Sequence, residues 1–597
     1  MLSPRALLRI SICLACLVGS VASAADIELV TGGGDQYQRD LLEQTERIEH
    51  LEVDPHPDGK KIERIEIVPY DVFMAQDPWP RFFNIFHVTT LPQVVERELL
   101  FKAGDIWAEK SPSLIQETAR NLRSNLFVSV ARIVPCKGST SDQVIALVVT
   151  KDIWSLRLDS DFVLVGPILQ NLQLRLTESN LLGRMKQVIA DFEMDPATFT
   201  FGEEYDDPRI WGGDLAFTEK ADVISNRSTG LTEGAIASVA LSKPLRTAET
   251  QWSWTLGLNY RQDVSRIFTN GAIYDYPSPV TGELIPFAFD RQLVDATASL
   301  TRSFGSEHKQ DISVGWAPYV HQFAMPSGLT VSAPALADFE NSFLPYSENA
   351  NVVYVSYRNY QTKFIEAVDL NTFALTEDHR LGVDWTVQSN FASPALGFWG
   401  FTSTYWEPLT TVSSFFPLGP KGEDDLTVSA EFRIRYEPGF LTDSPWIDRL
   451  GFIQVKNYSP RFLKPLGDLR LVTSLRYTRR TDDVLKTVDE LGGDNYVRGY
   501  PIAYWVGSQS LIGNVELRTL PVVLATIHVG AAAFFDCGDA FDSPSDFTLH
   551  ESAGFGFRVL LPQFNRAVIR LDFAFPFEPI ASGATATFFT AQFGQAF

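Results

Sequence analysis

The sequence predicts a mainly-β protein, a transmembrane antiparallel β-barrel preceded by one small α+β domain. Three observations point there. The chain opens with an export signal, it alternates apolar and polar residues at period two from about Trp154 onward, and it stops on an aromatic residue of such a strand.

The export signal is residues 1–24. Arg5 and Arg9 make a basic start, Ile10 to Val21 an apolar stretch, and Ala22, Ser23 and Ala24 the small-residue pattern that precedes signal-peptidase cleavage. The mature chain then begins near Ala25. Ordinary cleavage is preferred to lipoprotein processing at Cys16, because Cys13 stands where a branched aliphatic is favoured.

Residues 25–62 are rich in Asp, Glu, Gln and His around a DPHPDG turn cluster and read as a periplasmic tail or linker. Residues 63–153 follow a β-α-α-β-β pattern. Arg64 to Phe73 is a strand, Leu91 to Leu100 and Ser113 to Leu126 are helices, and Val128 to Val134 and Val144 to Val149 are strands. Thr90 before Pro92 marks a helix start, and Gly104 supplies its left-handed stop. In the second helix Leu114, Ile115, Ala119, Leu122 and Leu126 recur at helical spacing and face a sheet.

Residues 154–597 are the barrel. In Gln251 to Arg261 one face is Trp252, Trp254, Leu256, Leu258 and Tyr260, and the other is polar. Leu426 to Tyr436 sets Thr427, Ser429, Glu431, Arg433 and Arg435 on its polar face, and Leu469 to Thr478 does the same with Arg470, Ser474 and Arg476. Strands of about ten residues are long enough to cross hydrocarbon when tilted. An apolar face rich in aromatics opposite a face of arginine and glutamate asks for lipid outside and water inside. Such a sheet has to close, because an open edge in hydrocarbon leaves backbone groups unpaired at several kcal/mol each. The last strand, Thr587 to Phe597, carries Phe589, Ala591, Phe593 and Phe597 on one face; Phe593 and Phe597 look like the C-terminal recognition signal of bacterial outer-membrane barrels, from which Gln595 departs.

Several classes are disfavoured. A helical span is excluded by length, since the longest apolar run, Val522 to Phe535, is only about fourteen residues and contains Thr526 and His528. A formal charge of -23 argues against non-specific nucleic-acid binding. After signal cleavage Cys136 and Cys537 remain, in different domains, and no structural disulfide is expected. No nucleophile elbow, zinc-protease helix, phosphate loop or paired-cysteine metal motif occurs, so no enzyme, cofactor or metal is predicted. His321, His379 and His528 read as lumen or surface residues. An acyl-transfer site assembled from distant strands stays open.

The motifs name a resemblance. Leu491-Gly-Gly-Asp-Asn-Tyr-Val-Arg-Gly-Tyr500 looks like the lumen loop of the BamA/TamA superfamily of outer-membrane assembly and translocation barrels, also called the bacterial surface antigen family. Five strands should follow that loop, and five candidates do, beginning near Gln509, Val523, Ala553, Ala567 and Thr587. Phe534-Phe-Asp-Cys-Gly538 is similar to the family's strand motif, and Thr177-Glu-Ser-Asn-Leu-Leu-Gly183 to the turn after its second strand. The α+β unit resembles a single POTRA domain at Phe101-Lys-Ala-Gly-Asp105 and Asn121-Leu-Arg-Ser-Asn-Leu-Phe127.

The resemblance implies a sixteen-stranded barrel in the outer membrane of a Gram-negative bacterium, with the POTRA domain in the periplasm. About nineteen candidate strands are counted, so hairpins between Phe268 and Pro420 are expected to be extracellular rather than spanning. It also implies a lock in which Arg498, beside Val497, Gly499 and Tyr500, meets Asp536 in the row Phe534, Asp536, Gly538. The implied role is insertion or translocation of polypeptides, the POTRA domain capturing unfolded outer-membrane or secreted clients by adding a strand to an edge such as Val128 to Val134. Outer-membrane lipid and accessory periplasmic or lipoprotein partners come with that role. The alternatives are a passive channel or surface antigen, and a lipid-handling barrel.

Overall fold

The structure is a computed structural model that describes residues 36–596 except 75–78, 80, 109–113, 125–127, 166–167, 270, 374, 397–399, 419–423, 441–443, 463–467, 494–495, 525–526, 565–566 and 581–588. The signal-peptide segment and Phe597 lie outside the described residues.

The α+β domain is built on three strands, β1 (Lys61–Tyr70), β2 (Val128–Lys137) and β3 (Gln143–Asp152), in the order β1-β3-β2. β3 runs parallel to β1 and antiparallel to β2. Its run Val144 to Val149 is apolar on every residue because both of its faces are covered. On one face Val94 and Val95 of the Pro92–Glu98 helix, and Ile115 and Leu122 of the Leu114–Ser124 helix, pack against Ile62, Val144, Ala146 and Val148.

The other face corrects the tail reading for residues 36–62, while 25–35 lie outside the described residues. Gln36–Ile48 is a helix, and its Leu41 is fully buried against Val130, Cys136, Ile145, Leu147 and Val149. The buried face of this helix is Gln38, Leu41 and Thr45, and with two polar residues in three its helical spacing does not stand out as apolar periodicity. Two end signals also differ. The first helix begins after Leu91 with no side-chain cap, while the Thr90 hydroxyl goes to Asp152, and that helix stops at Glu98 on an extended Leu99, well before Gly104. Residues 52–54 pair with the end of β2, where the amides of Lys137 and Asp54 bond to Glu52 and Pro135 carbonyls at 2.8 Å.

Burial of Cys136 under the 36–48 helix pushes its thiol up to about 12, so it is protonated and covered at neutral pH. A maleimide should therefore leave Cys136 unlabelled at pH 7.5 in the folded chain and label it once residues 36–48 are removed. Equal labelling of both chains would show that the helix does not cover this face.

The remaining chain forms one closed antiparallel sheet. The described residues make twenty staves, not sixteen. Three of them are interrupted once each: His308–Trp316 with Tyr319–Ala324, Glu348–Ala350 with Val352–Gln361, and Gln509–Thr519 with Val522–Leu524. The five staves expected after the lumen loop are present, so the surplus lies before it. Between Phe268 and Pro420 three short hairpins stand off the barrel, at 268–273, 275–286 and 364–380. The third lies at the domain end rather than the far end.

The outward face holds exposed Leu256, Leu258, Leu300, Val314, Val355, Phe432, Phe555 and Phe557. The inward face holds buried Arg435, Arg470, Arg518, Arg558, Glu516, Asp536 and Asp572. Among the described residues no helix is long and apolar enough to cross a membrane. A belt of this chemistry around a polar lumen is the surface of a barrel solvated by hydrocarbon.

Candidate functional site: the lumen loop and its acid cradle

The connection between the Leu469–Thr481 and Gln509–Thr519 strands leaves the barrel at the end opposite the domain and folds back inside. A short pairing of Asp489–Leu491 with Trp505–Gly507 closes its neck. Asp494 and Asn495 of the motif lie outside the described residues. The tip is pinned by Val497 and Tyr500, both fully buried with Leu491, Ile512 and Ala540, and the Tyr500 hydroxyl donates to the Glu551 carbonyl at 2.8 Å. Gly499 has φ +97°, and a Cβ there would sit 3.1 Å from the backbone of Ala574. Both the backbone angle and the space demand glycine.

The structure brings Arg498 and Asp536 together. Arg498 is 1% exposed and Asp536 0%. The guanidinium binds the carboxylate bidentately, Nε to Oδ2 at 2.7 Å and Nη2 to Oδ1 at 2.9 Å, while it lies 3.4 Å over the Phe534 ring. The row Phe534, Asp536, Gly538 shares one face because strand side chains alternate. At Gly538 a Cβ would come within 2.6 Å of the Leu511 carbonyl, so this row also fixes how closely two strands approach.

Sequence reasoning missed the rest of the cradle. Arg498 Nη1 also reaches Asp572 at 2.7 Å and Glu516 at 3.3 Å. Arg558 bridges the same two carboxylates at 2.6 and 3.0 Å, Arg518 meets Glu516 at 2.9 Å, and Arg570 meets Asp572 at 3.4 Å. Asn514 donates to Asp536 at 2.9 Å and to the Tyr496 carbonyl at 2.7 Å. The signal was available: Glu516 with Arg518, and Arg570 with Asp572, are charged pairs of equal parity on strands whose other face is apolar. Burial alone would pull the Arg498 pKa down, but Asp536, Glu516 and Asp572 outweigh it and hold the group above the usual arginine value.

A second polar hub ties the domain to the barrel. Asp152 at the end of β3 accepts from the Thr90 amide at 2.7 Å and its hydroxyl at 2.9 Å, and Asn180 of the Thr177 to Gly183 turn donates to the Thr90 hydroxyl at 2.9 Å. Gly183 has φ +68°, and a Cβ there would lie 2.6 Å from the Thr89 carbonyl, so this turn is where the domain docks. An Asp-His-Ser string does run through the hub: His87 Nε2 is 3.0 Å from Asp152 and Nδ1 3.1 Å from Ser155. All three side chains are buried in the joint, and Asp152 is shared with Thr90, so the string reads as a structural pin.

Of the histidines, His321 is 2.9 Å from Asp295, His379 is 3.2 Å from Glu377, and His528 is 3.0 Å from the Phe373 carbonyl. Among the described residues no cluster could hold a metal. Phe593 pairs with Ile569 on the last stave.

Among the described residues the last and first staves are joined through two residue pairs, Thr590 with Val163 and Ala591 with Phe162. The pairing of Trp252–Arg266 with Ala288–Phe304 has fifteen.

No family model and no curated protein matches the chain. Among solved structures it is similar to BamA from Haemophilus ducreyi lacking POTRA domains 1-3, at 12% identity over 96% of this chain and 100% of that one, with a TM-score of 0.35. It is also similar to CdiB from Acinetobacter baumannii, at 10% identity over 99% and 87% with a TM-score of 0.40, and to CdiB from Escherichia coli, at 11% over 100% and 98% with a TM-score of 0.38. The chain is thus similar over nearly its whole length to barrels named BamA and CdiB, at identities and TM-scores too low to assign it a role.

Proposed function

We propose that this chain is a bacterial outer-membrane factor that inserts or translocates polypeptides, exported by a cleaved signal peptide, with its α+β unit acting as a single periplasmic POTRA domain. The observation that carries this reading is the short seam, joined by two pairs among the described residues. Opening a ladder in hydrocarbon leaves backbone groups unpaired at several kcal/mol each, so a seam with two described pairs opens at lower cost than the ten-pair joint of the first two staves. An opened seam offers strand edges to an arriving client. The lumen loop ties together four of the five staves that lead to that seam, through Glu516, Asp536, Asp572 and the Glu551 carbonyl. The domain presents the outer side of Val130 to Val134 on β2, where no strand is paired among the described residues, as the place for client capture. A passive channel fits less well, because the loop is folded into the lumen and pinned to its wall through Arg498, Val497 and Tyr500.

Depletion tests the reading. Loss of the protein should lower the outer-membrane abundance of a subset of barrel or secreted proteins at unchanged transcript levels. An unaltered outer-membrane proteome would overturn the proposal.

A further inference from the structure

The connection 362–381 is the longest at the domain end of the barrel, and it forms an inserted hairpin, Phe364–Ala367 paired with Glu377–Arg380. It is preformed rather than slack. The Glu377 carboxylate accepts the backbone amides of Thr372, Asn371 and Leu370 at 2.9, 3.0 and 3.1 Å, which fixes the tip.

From its root between the tenth and eleventh staves the hairpin crosses the mouth. Leu370 packs with Phe415, Tyr458 and Val472 on the twelfth, fourteenth and fifteenth staves. The Leu370 carbonyl accepts from Arg518 at 3.3 Å on the sixteenth, and the Phe373 carbonyl from His528 at 3.0 Å on the seventeenth. Phe373 and Leu375 then bury against Leu560 and Val568 at the eighteenth and nineteenth. Asp369 is paired with Arg461 at 3.1 Å. A segment that leaves one wall and is buried on the opposite one spans the opening as a chord.

Its base is held by the domain. Arg123 of the Leu114–Ser124 helix binds Asp378 bidentately at 2.9 and 2.7 Å and Glu366 at 2.9 Å, and is itself buried. Arg120 lies 3.9 Å over the Phe364 ring, and Arg132 on β2 is 3.5 Å from Glu366.

We propose that this hairpin is a stopper closing the domain-side mouth of the lumen and that Arg123 is its latch, so that movement of the domain governs access to the lumen. Arg132 sits on the same β2 whose outer side is offered to clients, which places client capture next to the latch. That coupling rests on the proposed function; the closure itself does not.

Accessibility of a lumen cysteine tests closure without any client. Ser474→Cys stands on the inward face beyond the Leu370 contact, and a charged methanethiosulfonate reagent is the probe, with Cys136 and Cys537 giving the background in the chain without the added cysteine. Replacing 364–380 by a four-residue glycine-serine turn should speed modification at least ten-fold, and Arg123→Glu should speed it several-fold. Pairing Asp369→Cys with Arg461→Cys should slow it again when oxidised. Equal rates in the Arg123→Glu chain and the oxidised chain would overturn the stopper, even where the shortened chain does not fold. Changed rates with an unaltered outer-membrane proteome after depletion would keep the stopper and remove only the client reading.

Discussion

Arg498→Ala should release the lumen loop and lower barrel stability by about 3–5 kcal/mol, the range for breaking a buried ion pair. The lower end applies where water enters the vacated space. Asp536 loses both guanidinium bonds and keeps only Asn514 among its described side-chain partners. Protease cleavage near Gly492 and earlier loss of heat-modifiable mobility on gels should report the release. Arg498→Lys should recover only part, because an ammonium cannot bind Asp536 with two parallel bonds. The cradle also bears on the charge swap. Arg498→Asp with Asp536→Arg would set a new carboxylate beside Glu516 and Asp572, so the swap should rescue less than an isolated pair would. Wild-type protease resistance in Arg498→Ala would show that the loop is held by its apolar residues alone.

Stapling the seam should abolish activity outright. Phe162 and Ala591 are direct partners across the closing joint, so cysteines at both positions can form a disulfide between the first and last staves. Client insertion should fall to background in the oxidised chain and return on reduction. A staple between Leu256 and Ala298, partners in a long pairing far from the seam, should leave it unchanged. Full activity of the oxidised Phe162/Ala591 chain would mean that the seam never opens.

Local signals were legible and topology was not. Alternation located the staves, since lipid on one face and water on the other impose period two on every strand. Strand number is a property of the closed sheet. Nothing local in Ala288–Phe304 or Val352–Gln361 distinguishes a stave from a long extracellular hairpin, so local signals give about nineteen and the resemblance implies sixteen where the described residues make twenty. In the site, Arg498 and Asp536 were readable because each sits in a motif. Glu516, Arg558 and Asp572 sit in none, and their meeting depends on register across four strands. The hairpin at 364–380 lies at the domain end, against expectation, because side follows from the parity of every stave before it.

The order of residues in the cradle gives the loop a place in time. Glu516, Asp536, Arg558 and Asp572 all follow Arg498 in the chain, and the most distant is 74 residues on, in the Ile569–Pro576 strand next to the last. During biogenesis the guanidinium therefore has no finished pocket until that strand has joined its neighbours. Docking of the loop is expected to be completed late, and a chain truncated before residue 569, lacking Asp572, should show faster protease cleavage near Gly492 than the full chain. The buried arginine thus links the loop to the penultimate strand, so its full set of partners exists only once that strand is in register.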